Sequence, residues 1–164
     1  MKSDYTAQRN PVILLVEDDS SDVQLIKLAF SRTPGDINIV RVEDGDKAVE
    51  YLSGSVPYDD REKYPLPVTM VLDIKLPKRS GLEVLQWLRG QATPIKRLPV
   101  MMLTSSKHRV DVNRAFERGA NAYVAKPESV KELASLLGEF KNFWLRRLEF
   151  PDLEMPAIRP PLVD

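Results

Sequence analysis

Five short runs of apolar, largely β-branched residues recur along this chain. Each is followed by a stretch whose apolar residues repeat at helical spacing. The runs are Val12–Val16, Asn38–Val42, Val68–Leu72, Val100–Leu103 and Ala122–Ala125. Continuous rather than alternating apolarity means burial on both faces, as in a parallel sheet covered by helices. The intervening segments predict helices over Ser21–Ser31, Gly45–Leu52, Gly81–Arg89, Arg109–Arg118 and Ser129–Leu148. Ser21 and Gln24 form a capping-box pattern at the start of the first. Gly119 suits the left-handed turn that closes the fourth. Strict strand–helix alternation predicts a doubly wound α/β fold around one five-stranded parallel sheet.

Length agrees, since 164 residues make one core with some surplus. The surplus sits in three places: a polar segment over 1–10, a Pro- and Tyr-containing loop over Ser53–Pro67, and a tail over 149–164 with four prolines, Pro151, Pro156, Pro160 and Pro161. The globular domain is expected over 11–148. Lys and Arg number 24 and so do Asp and Glu, which argues against electrostatic binding to nucleic acid or anionic lipid. With no cysteine and one histidine, thiolate and multi-histidine metal sites are excluded. No apolar run approaches the ~20 residues of a membrane span, and no secretory h-region opens the chain. A cytoplasmic location without membrane association is the expectation.

In a parallel α/β sheet, sites form beyond the carboxyl ends of the strands. There the sequence places Glu17, Asp18 and Asp19 after the first strand and Asp73 after the third. Thr104, Ser105 and Ser106 follow the fourth, and Lys126 then Pro127 follow the fifth. Taken singly, each has an ordinary explanation as a cap, a turn residue or a loop lysine, and for Asp19 a helix cap is the preferred reading. Their joint occurrence at four strand ends points to chemistry. Neighbouring carboxylates repel unless a cation joins them, and oxygen ligands without histidine favour Mg²⁺. A carboxylate can attack phosphorus, while a metal and an ammonium neutralise the phosphoryl oxygens and a hydroxyl donates to one of them.

These segments resemble the receiver domain of two-component response regulators over roughly Pro11 to Leu148. Ile13-Leu14-Leu15-Val16-Glu17-Asp18-Asp19 resembles its acidic-pair strand. Asp73-Ile74-Lys75-Leu76-Pro77 with Gly81 resembles its phosphoacceptor segment, and Leu103-Thr104-Ser105-Ser106 its switch-hydroxyl segment. Ala122-Tyr123-Val124-Ala125-Lys126-Pro127 resembles the segment carrying a switch aromatic, a Lys and a Lys–Pro bond that is typically cis. The resemblance implies a flavodoxin-like fold with Asp73 as phosphoacceptor. It implies Mg²⁺ held by Glu17, Asp18, Asp73 and the backbone carbonyl of Lys75, with Lys126 binding the phosphoryl group. Thr104 and Tyr123 are the implied switch pair. The protein would be a phosphoacceptor rather than an enzyme, loaded by a sensor histidine kinase and signalling by protein contacts, with no DNA-binding helix-turn-helix following.

The Ser53–Pro67 loop and Phe140-Lys141-Asn142-Phe143-Trp144-Leu145 are similar to stand-alone regulators paired with bacterial phytochromes. Phe143 and Trp144 either pack on their own domain or help form a homodimer through the fourth- and fifth-helix side. The elongated last helix carries more apolar residues than one sheet can cover, leaving the Pro-rich tail or a second chain to cover the rest. Two rival functions remain. A pseudo-receiver would keep the fold for binding alone, against which the complete set Asp18, Asp73, Thr104 and Lys126 speaks. An aspartate-nucleophile phosphatase wants a second acid where Lys75 stands. His108 precedes the fourth helix and reads as exposed loop rather than a relay histidine.

Overall fold

A computed structural model of the chain describes residues 10–154. The N-terminal segment up to Arg9, and Pro156, Pro160 and Pro161 of the tail, lie outside them. The elements are β1 (Val12–Val16), α1 (Ser20–Ser31), β2 (Asn38–Val42), α2 (Gly45–Ser53), β3 (Thr69–Leu72) and α3 (Gly81–Arg89). After a 3₁₀ turn at Pro94–Arg97 come β4 (Val100–Thr104), α4 (Arg109–Glu117), β5 (Ala122–Ala125) and α5 (Val130–Phe140). All strand pairs are parallel, in the order β2-β1-β3-β4-β5. This is the flavodoxin-like doubly wound arrangement, whose strand order reverses between β1 and β3 and opens a crevice at their carboxyl ends.

Side-chain alternation along β1 divides the core in two. Leu14 and Val16 join α2, α3 and Ala115 of α4 on one face, while Ile13 and Leu15 join α1 and α5 on the other. The central strands β1, β3 and β4 are buried along their whole length, and the edge strands β2 and β5 are not.

Several local expectations change. The first helix is capped by Asp19, which accepts from the backbone N–H of Ser21 and Asp22, so the Ser21–Gln24 capping box does not form. Asp19 lies two residues closer to the strand end and reaches two of the free N–H groups of the first turn. A capping box does form at Ser80 and Glu83, ahead of α3. The last helix is not one uniform rod. It is α-helical to Phe140 and then turns π-helical over Lys141–Leu145. The extra residue per turn rotates Trp144 toward the base of the sheet, where it stacks on Phe140 at 5.3 Å and donates its indole N–H to Thr69 Oγ1 at 3.1 Å. Phe143 is left 61% exposed. Of the two readings for this pair, Trp144 packs on its own domain and Phe143 does not.

The Ser53–Pro67 loop is a built structure rather than a slack connection. Tyr51, Tyr58 and Tyr64 form a mutual aromatic cluster. Arg61 donates to the carbonyls of Tyr51 and Leu52 at the end of α2. The beginning of the tail does not cover α5. Leu153 is buried in the opposite core, on the α2–α3 face. Among the described residues the one cis peptide is Val56–Pro57, so Lys126–Pro127 is trans, unlike the bond the resemblance implies.

Candidate functional site

Register carries each candidate residue to one edge of the sheet. The N–H of Glu17 continues the ladder onto Val42, that of Asp73 onto Val16 and that of Lys126 onto Thr104. Glu17 and Asp73 are buried and Asp18 is exposed. Carboxylate oxygens of Glu17, Asp18 and Asp73 lie within 4.8 Å of one another. Lys126 reaches into this group, its Nζ lying 2.5 Å from Glu17 Oε2, 2.8 Å from Asp22 Oδ2 and 3.2 Å from Asp73 Oδ2. Three carboxylates thus meet one ammonium, and the Asp18 carboxylate stands beside them, so acidic groups outnumber the cation.

Backbone groups orient the acids. Asp73 Oδ1 accepts from the N–H of Ile74 at 2.7 Å, and Glu17 Oε1 from that of Asp19 at 3.1 Å. The Asp73 carbonyl is packed so closely on the start of α3 that a Cβ at Gly81 would lie 1.9 Å from it. Only glycine allows that approach.

The imbalance shows in the titration of the buried groups. Burial raises Glu17 to about 7, with Asp73 adding to the rise, and together they outweigh the lowering by Lys126. Burial opposes the charge of Lys126, but Asp22, Glu17 and Asp73 overcome it and raise its pKa. A buried carboxylate that is hard to ionise beside its own ammonium marks a site short of positive charge. Hard oxygen donors at this spacing fit a divalent cation, and the residues present could hold one.

Thr104 and Tyr123 lie beside this cluster rather than in it. Thr104 is buried, and its hydroxyl accepts from the N–H of Ser106 at a long 3.4 Å. Tyr123 donates to the Ser106 carbonyl at 2.8 Å, and Ser106 donates to Asp111 of α4 at 2.5 Å. The Lys75 side chain is exposed. His108 is exposed and stands at the N-cap of α4, as expected of a loop residue.

Two residues of the site have no signal at the strand ends. Asp22 lies in the first turn of α1, where an acid reads as a helix-dipole partner. Arg41 of β2 donates to the carbonyls of Glu17 and Asp18, both at 3.0 Å, and holds the acidic turn in place. An arginine within an otherwise apolar strand is the hint that could have found it.

Comparison with known proteins agrees with this geometry. The family model for the response regulator receiver domain matches residues 13–137. Response regulator Rcp1 of Synechocystis is 34% identical over 146 residues, covering 88% of this chain and 97% of that protein. Among solved structures, the phosphorylated cyanobacterial phytochrome response regulator RcpA superposes with a TM-score of 0.81 at 29% identity, covering 88% of this chain and all of that one. The Mn²⁺-bound form of Rcp1 gives 0.78 at 32% identity, covering 87% of this chain and 99% of that one. The receiver-domain match and the likeness to Rcp1 extend over most of a chain whose sheet runs β2-β1-β3-β4-β5 with three carboxylates and a lysine gathered at its strand ends, and the chain belongs to the response regulator receiver family.

Proposed function

We propose that the chain accepts a phosphoryl group on Asp73 from the phosphohistidine of a sensor histidine kinase, with Mg²⁺ as cofactor. The observation that carries this is the meeting of Asp73 with Lys126, Glu17 and Asp18 at one crevice. An Asp73 carboxylate oxygen attacks phosphorus, the phosphorus–nitrogen bond to the kinase histidine breaks, and the histidine keeps the electron pair. Glu17, Asp18 and Asp73, with the Lys75 carbonyl, are the groups to hold Mg²⁺, which when bound neutralises charge on the phosphoryl oxygens. The Lys126 ammonium supplies the second positive charge. It must loosen its contacts with Glu17 and Asp22 to reach the incoming oxygens.

Thr104 supplies a hydroxyl to a phosphoryl oxygen. Its inward movement would disturb the Ser105–Ser106 turn to which Tyr123 is bonded, and through Asp111 the start of α4. Output would pass through the α4–α5 side, where Val110, Phe116, Val130 and Phe143 are exposed. That apolar surface suits a homodimer, and sedimentation with and without a phosphodonor reads it directly. The partner kinase is of the phytochrome type, a reading supported by likeness to a phytochrome response regulator over nearly the whole chain.

Intact-mass measurement after treatment with a small phosphodonor and Mg²⁺ tests the central reading. One added phosphoryl group is expected, absent in Asp73→Asn and absent with chelator. No mass gain in the wild type, or an equal gain in Asp73→Asn, overturns it.

A further inference from the structure

The phosphoacceptor loop, from Asp73 to Gly81, is held at its far end by residues that take no part in the acidic cluster. Asp44, 4% exposed, is the N-cap of α2 and uses both carboxylate oxygens. Oδ1 accepts from the N–H of Lys47 at 2.8 Å, and Oδ2 lies 3.3 Å from Lys78 Nζ. The next residue, Gly45, lies against the loop itself. A Cβ there would stand 1.9 Å from the Arg79 carbonyl oxygen and 2.7 Å from its carbon. Asp46 adds an ion pair to Arg79 at 3.3 Å. Lys78 is the one non-glycine among the described residues with positive φ, at 61°. A left-handed lysine is unfavourable by itself and persists only where its surroundings impose it.

We infer that Gly45 and Asp44, at the start of α2, are positioning residues for the metal-dependent step, seating Pro77–Ser80 so that residues 73–75 keep their metal-binding geometry. The physical chain is short. Gly81 fixes the loop against the Asp73 carbonyl at one end, and the α2 seat fixes Lys78 and Arg79 at the other. Between them only three residues, Leu76, Pro77 and Lys78, separate Lys75, whose carbonyl is a proposed ligand, from Arg79. A displaced Arg79 carbonyl cannot be absorbed without moving that peptide. Of the two contacts, the Gly45 seat is the stronger constraint. The Asp44–Lys78 pair is weaker because Lys78 is 58% exposed.

This inference rests on the phosphoacceptor reading. Its test compares full-length wild type with Gly45→Ala, Lys78→Ala and Asp44→Ser, since serine retains the cap. Three quantities are measured: Mg²⁺ binding by calorimetry, the Mg²⁺ concentration for half-maximal phosphorylation, and the thermal midpoint in chelator. Gly45→Ala should weaken Mg²⁺ binding about tenfold, and the other two should weaken it about two- to threefold. In chelator the midpoints of Lys78→Ala and Asp44→Ser should stay near the wild-type value, while that of Gly45→Ala should fall, because its Cβ overlaps the Arg79 carbonyl. Phosphorylation should follow Mg²⁺ binding and recover at saturating metal. If Gly45→Ala does not fold, the other two variants decide alone. Wild-type Mg²⁺ binding in folded variants overturns the inference while leaving the phosphoacceptor reading intact. A wild type that takes neither Mg²⁺ nor the phosphoryl group overturns both.

Discussion

Lys126 and Lys141 are both drawn into the protein, at opposite ends of the sheet, and they are opposites in chemistry. Lys126 meets three carboxylates at the carboxyl ends of the strands. Lys141, 3% exposed, meets two neutral carbonyls, Thr33 at 2.8 Å and Gly35 at 2.5 Å, just past the end of α1. Burial lowers the pKa of Lys141 and Arg146 adds to the fall, whereas the carboxylates around Lys126 overcome its burial. Burial of a lysine therefore does not mark a functional site. An excess of charge around it does. At Lys126 the surroundings still want a cation. At Lys141 the ammonium donates to two neutral carbonyls, and among the described residues no carboxylate forms an ion pair with it.

Substitution breaks the comparison most directly at Lys126. Lys126→Met should lower phosphorylation by about 100-fold or more, as expected when a group that meets developing phosphoryl charge is removed. Retention of more than a tenth of the wild-type rate would make Lys126 a structural ion-pair partner like its counterpart. Lys141→Met removes the shared donor of the Thr33 and Gly35 carbonyls and should cost about 1 kcal/mol of stability in denaturant unfolding. Its labelling rate should be that of the wild type, and a slowed rate would show that the two ends are coupled.

Acidity sharpens the contrast next. Because Glu17 is raised to about 7, its protonated form is the one the fold prefers. Its contribution to stability is present below its unfolded value and is lost as pH rises through about 7. In chelator, thermal stability should fall across that interval. With Mg²⁺ the fall should shrink, and metal affinity should rise with pH and level off above about 7. Thermal scans of wild type and Glu17→Gln over the same range check this, and the slope should flatten in the variant. The smallest effect concerns an exposed lysine, Lys75. Its ammonium at the rim should slow loss of the phosphoryl group, so Lys75→Asn should shorten the lifetime about twofold. Equal decay rates would leave it a solvated surface residue.

The strands and the strand-end chemistry were legible because both depend on local pattern. β2 and β5 coincide with their apolar runs, and Glu17, Asp18, Asp73 and Lys126 meet because parallel register brings strand ends together. What escaped depends on contacts distant in sequence. Asp22 pairs with Lys126 across 104 positions, and nothing near it announces the partner. The 3₁₀ turn at Pro94–Arg97 is four residues long, too short to show a period. Nothing near Tyr51 in sequence marks it as a core residue. Its ring is fully buried because its hydroxyl finds the Pro65 carbonyl at 2.8 Å across the following loop. The π-helical turn is visible only as an apolar set too broad for a regular helix.

The indole of Trp144 is tethered to Thr69, at the opposite end of β3 from Asp73. Four residue steps along the strand separate the two, about 13 Å at the rise of an extended chain. The protein therefore carries an optical reporter anchored to the same strand as its reactive carboxylate, yet too far away to touch a metal or a phosphoryl group. Any change of Trp144 emission on phosphorylation must have travelled through packed structure, and its absence would mean the base of the sheet stays still while the top responds.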